Sequence, residues 1–300
     1  MALSDNARGA LYMSVSMGGF ALNDALMKLV SSELPLMQAI LLRGIAASAL
    51  ILLLAWRAGA LAFRPRRADA IPLAMRTFAE IGSTLCFLTA LFNMPLANAT
   101  AILQASPLAV ALAAAWLLGE PVGWRRYLAI SIGFLGVLII VRPGAEGFTA
   151  YSLLALAAVG FIVIRDLATR RLTAATPNLY ATALTSVAIM AAGGVGAAAQ
   201  DWAPLSLRAS AILGAASVFL LIGYNFGVKT MRVGDVAVVT PFRYSILLWA
   251  MLLGFVLFGD VPDALTLLGA AIVAGAGAFT LWREQRARRL AQALARAGRD

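Results

Sequence analysis

Apolar residues run through the chain in ten blocks, at 9–30, 35–56, 71–92, 96–118, 126–141, 149–169, 178–199, 208–229, 235–258 and 263–282, divided by short polar junctions. Each block approaches the ~17–25 residues that a helix rising ~1.5 Å per residue needs to cross a bilayer. The pattern predicts an all-α polytopic membrane protein with ten transmembrane helices. Charge sets the orientation. Eighteen of the 24 Lys and Arg fall at every second junction and the termini, while only Lys28, Arg142 and Arg208 lie on the other side. The remaining three, Arg43, Arg76 and Arg243, lie inside blocks. One missed or extra helix would swap sides for everything after it, and cytoplasmic loops carry the excess of basic residues, so both termini are expected in the cytoplasm.

Composition supports the pattern: 62% of residues are hydrophobic and 13% charged, too little polar surface to cover a soluble domain. The net charge of +10 follows from basic loops facing anionic lipid, so no nucleic-acid partner is expected. The segment Met1 to Arg8 is short, carries Asp5 and leads into a full-length block, so the first helix is expected to be retained. The chain has no His and one Cys, Cys86, inside the third block. That excludes Cys/His metal sites, His-ligated haem, Ser-His-Asp chemistry and an internal disulfide. With no phosphate-binding glycine loop in the sequence, the expectation is no enzyme, no metal and no cofactor.

Five blocks precede Arg142-Pro-Gly-Ala-Glu-Gly147 and five follow it. Because five is odd, related halves would enter the membrane from opposite sides, forming an inverted repeat. The halves do correspond. Leu117-Leu-Gly-Glu-Pro121 matches Leu257-Phe-Gly-Asp-Val261, each followed by a last helix with Ala129-xxx-Gly133 or Ala271-xxx-Gly275. Asn93-Met-Pro-Leu-Ala-Asn98 likewise matches Thr230-Met-Arg-Val-Gly-Asp235. Gly119 and Gly259 read as helix C-caps, with Glu120 and Asp260 near the next helix N-terminus. The small-xxx-small pairs fit close packing within one chain or a dimer interface. The domains are therefore drawn at 1–143, 144–283 and a basic cytoplasmic tail at 284–300.

The stretch Ala105-Ser-Pro-Leu-Ala-Val through Val141-Arg-Pro143, with its second copy from Thr240-Pro-Phe-Arg-Tyr-Ser245 to Asp263, resembles the repeat of EamA-type carriers in the drug/metabolite transporter superfamily. This resemblance implies helices around a central path, alternating access and small-metabolite transport across a bacterial inner membrane. A narrower resemblance, to YddG-type amino-acid exporters, implies export of aromatic or other neutral amino acids. The superfamily also holds carriers of nucleoside-type metabolites, S-adenosylmethionine and riboflavin, and a lipid-linked carrier flippase is a further alternative. A monomer in contact with membrane lipid is expected over a homodimer.

Charges inside a bilayer cost at least ~2.5–3.5 kcal/mol, so those that remain face a cavity or a partner. Arg76 and Glu80, four residues apart, fit an intrahelical ion pair or a gate that opens as substrate enters. Arg243 offers a planar fork of donors matched to a carboxylate, or a bridge between helices. Arg43 could reach Asp24, and Asp24 is the carboxylate a proton-coupled mechanism would use. Lys28, Asp166 and Asp235 read as capping or snorkelling groups near helix ends. Gln104, Tyr224, Asn225, Thr240 and Tyr244 could present polar groups to a zwitterion, with Phe242 and Trp249 along an apolar side-chain path. Pro107 and Pro241, inside the fourth and ninth blocks, weaken helix hydrogen bonding and are candidate hinges.

Overall fold

The computed structural model describes residues 5–117, 123–142, 149–233 and 239–297, excluding the side chains of residues 126, 231, 232, 240, 281, 284, 285 and 287–297. Among the described residues every regular element is helical. The helices are α1 (Asp5–Val30), α2 (Leu36–Arg57), α3 (Arg67–Asn93), α4 (Leu96–Leu103), α5 (Ser106–Leu117) and α6 (Trp124–Val141). They continue with α7 (Ala150–Arg170), α8 (Asn178–Ala198), α9 (Leu207–Val233), a 3-10 turn (Thr240–Tyr244), α10 (Ser245–Phe258) and α11 (Ala264–Ala297). Among the described residues seven spans are long and apolar enough to cross a membrane, taking α4 with α5 as one and the 3-10 turn from Pro241 with α10 as another. Tyr127–Val141 and Ala264–Thr280 are shorter apolar helices, and α1 has the length but carries Asn23, Asp24 and Lys28.

Two interruptions depart from the continuous helices expected. The fourth block breaks at Gln104 and Ala105, between α4 and α5. Pro107 has no N–H for the carbonyl of Leu103 and its ring crowds that carbonyl, so the helix stops and restarts. Leu108 and Ala109 then both donate to the Ala105 carbonyl at 3.0 Å. Within the ninth block the 3-10 turn carries Pro241 in its first positions and leads into α10. Pro107 is the second residue of α5, and Pro241 is the second residue of the 3-10 turn. The last block runs on without a stop, 34 residues to Ala297, so the described part of the tail is the end of α11.

The first half packs on the second in reciprocal fashion. α1 lies on α9 and α3 on α7; α2 lies on α8 and α6 on α11; α1 also meets α10, and α5 meets α7. The contacts of the first helix of each half with the third and fourth of the other are thus matched by their exchange. The closest approaches use glycine. Ser16 donates to the Gly223 carbonyl at 2.6 Å, and a Cβ on Gly19 would lie 2.9 Å from the Gly223 nitrogen. At the α6–α11 crossing, a Cβ on Gly136 would lie 2.9 Å from the Gly269 carbonyl oxygen. Gly133 is filled by Leu108 and Ala276 of the same chain, whereas the space beside Gly275 is open.

One end of the bundle is densely closed. Met27, Val30, Leu34, Ile40, Leu91 and Leu96 are at most 3% exposed there. Lys28 caps the end of α3, its Nζ donating to the carbonyls of Leu91 (3.2 Å) and Met94 (2.8 Å). Gln38 and Ala203 exchange two hydrogen bonds, at 2.8 and 3.0 Å. Gly259, at φ 68°, ends α10 as expected of a C-cap, its N–H donating to Phe255 at 3.0 Å. Its expected counterparts Gly119 and Glu120, and likewise Asp235, lie outside the described residues. At the opposite end, Asp69 accepts from the Thr173 N–H and hydroxyl at 2.8 and 2.9 Å, tying the start of α3 to the connection after α7.

Candidate functional site

A central cavity of about 400 Å³ lies between the halves. Its walls come from α1, α2, α3, α7, α8 and α9, and from the two places where helices are interrupted. It extends toward the end opposite the apolar closure: it takes in Arg165, five residues before the end of α7, and Thr182, four residues after the start of α8.

Five charged side chains line it: Asp24, Arg43, Glu80, Arg165 and Arg243. Arg43 donates to Asn23 Oδ1 at 3.2 Å, and Asn23 Nδ2 donates to Asp24 Oδ1 at 2.8 Å. Arg43 thus reaches Asp24 through the intervening amide. On the far wall Arg165 meets Glu80 at 3.4 Å and Asp166 at 2.8 Å. Arg76 turns away from Glu80 and donates to the Ala181 carbonyl and the Thr185 hydroxyl, both at 3.2 Å. The pair read from the i,i+4 spacing is replaced by a bridge from α3 to α7 and another from α3 to α8.

The two helix interruptions bring Gln104 and Arg243 to the same cavity. Gln104 is 7% exposed, and its Nε2 is buried without an acceptor. Arg243 has no hydrogen-bond or ion-pair partner among the described residues. Tyr224 lines the cavity too, its ring edge-on to Phe20 at 5.3 Å. Unpaired donors at this depth have no bulk water to satisfy them, so the arrangement suits a ligand rich in acceptors.

Other expected site residues fall elsewhere. Phe242 and Tyr244 line a separate apolar pocket between α10 and α11. Trp249 packs on Gly18 and donates to the Ser14 carbonyl at 3.1 Å, so it fastens α10 to α1. Asn225 is exposed outside the cavity, and the side chain of Thr240 lies outside the described residues. Arg165 was not foreseen, because a basic residue near a helix end reads as a topology signal. Asn23 was legible only as the neighbour of Asp24, and Ser186, bonded to Ser48 at 2.8 Å, carried no signal.

A helical membrane bundle with a polar cavity between its halves is the architecture of a membrane carrier. The chain belongs to the EamA-like transporter family, which matches residues 7–142. It is 30% identical over 219 residues to the riboflavin transporter of Vibrio cholerae serotype O1, covering 72% of this chain and 73% of that one. The pseudopaline exporter CntI of Pseudomonas aeruginosa is 27% identical, across 88% of this chain and 93% of the exporter. The S-adenosylmethionine uptake transporter of Rickettsia bellii is 28% identical, and the match spans just under two thirds of its length, 66%. A crystal structure with a TM-score of 0.64 and 20% identity, covering 94% of this chain and 98% of that one, has the same fold. The chain is a multi-pass protein of a bacterial inner membrane.

Proposed function

We propose that this chain is a ten-helix carrier made of two inverted five-helix repeats, residues 1–143 and 144–283, with both termini and the 284–300 tail in the cytoplasm. It moves small zwitterionic metabolites, amino acids foremost, outward by alternating access, and it works as a monomer. The reciprocal packing of the halves is what an inverted repeat produces, and the two interrupted helices meeting at the cavity suit a midplane site. With the basic junctions in the cytoplasm, the cavity extends inward and the apolar closure lies on the outside.

The observation that carries the reading is Arg243, an intramembrane guanidinium open to the cavity and unpaired among the described residues. A carboxylate accepts its planar fork of donors, and the orphaned Gln104 amide supplies a third. Glu80 or Asp24 then receives the substrate ammonium. A cavity of about 400 Å³ falls in the ~300–1,000 Å³ range of ligand pockets. S-adenosylmethionine is a methionine derivative, so the relatives that carry it favour a second reading in which the same carboxylate site holds a bulkier substrate.

Counterflow in proteoliposomes tests this. Purified protein in vesicles preloaded with unlabelled solute is offered radiolabelled amino acids, S-adenosylmethionine and riboflavin, with and without an imposed proton gradient. Saturable amino-acid flux above empty vesicles is expected. Flux of S-adenosylmethionine or riboflavin alone would transfer the site to that substrate, and no flux of any of them would contradict the reading.

A further inference from the structure

The central cavity holds more positive than negative charge. Three of the five charged side chains on its walls are arginines, Arg43, Arg165 and Arg243, against the carboxylates Asp24 and Glu80. Arg76 and Asp166, outside the lining, are of opposite sign and offset each other. Among the described residues one positive charge is therefore in excess, at a depth where protein and lipid screen it poorly.

Pairing shows which groups are left open. Of the three arginines only Arg165 touches carboxylates directly, at 3.4 Å from Glu80 and 2.8 Å from Asp166. Arg43 makes a single hydrogen bond, 3.2 Å to the amide oxygen of Asn23, and its Nη2 has no partner among the described residues. Arg243 has none at all. These free nitrogens keep accessible surface, unlike the enclosed Arg43 Nε. One acceptor is open in the same way: Asp24 Oδ1 accepts from Asn23, while Oδ2 has no partner and is not enclosed.

The cavity thus presents two guanidiniums that hold no carboxylate and one carboxylate oxygen that holds no donor. An amino acid with a single carboxylate can engage only one of the guanidiniums, and being neutral overall it leaves the excess charge in place. A second carboxylate changes both: it meets the other planar fork of donors, and it makes the solute a net anion that cancels the excess.

We propose that the amino acid carried bears a second carboxylate and travels as a net anion, an inference that rests on the central cavity being the substrate site. One carboxylate lies on Arg243, the other on Arg43, and the ammonium on Asp24 Oδ2. Arg43 is then a specificity-determining residue, separating dicarboxylic amino acids from the neutral ones that Arg243 alone would accept.

Binding titrations on the purified full-length protein test it, with aspartate, glutamate and 2-aminoadipate each set against its side-chain amide. The three lengths sample the separation of the two guanidiniums. At least one acid should bind on the order of tenfold tighter than its amide. Arg43→Gln, shown to be folded by thermal unfolding, should bind that acid and its amide alike, and the comparison in the unaltered protein stands whether or not the variant folds. Amides bound as tightly as their acids would overturn the second-carboxylate site and leave the carrier of neutral amino acids standing. An undiminished preference in folded Arg43→Gln would also overturn it, since the second carboxylate would then be held elsewhere. Binding of neither acids nor amides would overturn the amino-acid reading of the cavity, and this inference with it.

Discussion

Glu80 of α3 and Arg165 of α7 face each other across the cavity wall at 3.4 Å, and the same guanidinium holds Asp166 at 2.8 Å. The pair joins the third helix of one half to the first helix of the other. Both side chains are mostly buried, at 20% and 28% exposure, so removing one leaves the other short of a partner. Glu80→Ala and Arg165→Ala should each lower the thermal midpoint in detergent. The double variant should lose less than the sum, with a coupling of ~0.5–3 kcal/mol. Additive losses would show that the two do not act as a pair.

The α6–α11 crossing predicts a contrast between glycines. A Cβ at position 269 would lie 2.7 Å from the Gly136 carbonyl oxygen and 2.6 Å from Ile140, so the two helices must separate. Gly269→Ala should destabilise by about 1–3 kcal/mol, the range of overpacked cores. Gly160, on α7, has open space at its Cβ position, and Gly160→Ala should be neutral or stabilising by up to ~1 kcal/mol. Thermal unfolding of the two variants side by side checks this.

Gln38 fastens the closed apolar end of the bundle through both of its amide atoms. It is 2% exposed and satisfies the N–H and the carbonyl of Ala203 at once. Gln38→Ala strands both backbone groups and should cost about 1–3 kcal/mol of stability. Substrate affinity should change little, because Gln38 is outside the cavity lining. A large affinity loss at unchanged stability would place the closed end in the binding site.

Asp263, just ahead of α11, gives a pH prediction. Hydrogen bonds from Arg142 and from the Thr266 backbone N–H push its carboxyl down to about 2. A carboxylate with a depressed folded pKa stabilises above its ordinary ~3.9 and loses that contribution as pH falls through the folded value. The Asp263 contribution should therefore be constant from about pH 4 upward and fade only toward pH 2. Arg142→Ala should raise its midpoint toward ~3.9, read from the carboxyl carbon shift in NMR. A midpoint already near ~3.9 in the unaltered protein would mean the pair does not form.

Helix positions were largely legible in the sequence, since α2 at Leu36–Arg57 and α8 at Asn178–Ala198 fall within a residue of their apolar blocks. Hydropathy averages over a window, so it passes over the break at Gln104 and the 3-10 turn at Thr240–Tyr244, where proline withdraws a donor. Part of the cavity was legible as well. Asp24, Arg43, Glu80, Gln104, Tyr224 and Arg243 stood out as polar groups in apolar blocks, and all six line it. What escaped was pairing: i,i+4 spacing joins Arg76 to Glu80, but α7 and α8 present closer partners. Phe242 and Arg243 are adjacent in sequence, yet Phe242 lines the apolar pocket between α10 and α11 and Arg243 lines the central cavity.

The central claim is that Arg243 holds a substrate carboxylate, and a binding titration tests it most directly. Affinities of an amino acid found to be transported and of its carboxamide are measured on purified protein and on Arg243→Gln, with thermal unfolding as the folding control. The unaltered protein should prefer the acid over the amide by about tenfold to 150-fold, the ~1.5–3 kcal/mol of a charge-assisted hydrogen bond. Arg243→Gln should bind the two alike. A preference that survives in folded Arg243→Gln would contradict the account, because the carboxylate would then be held elsewhere.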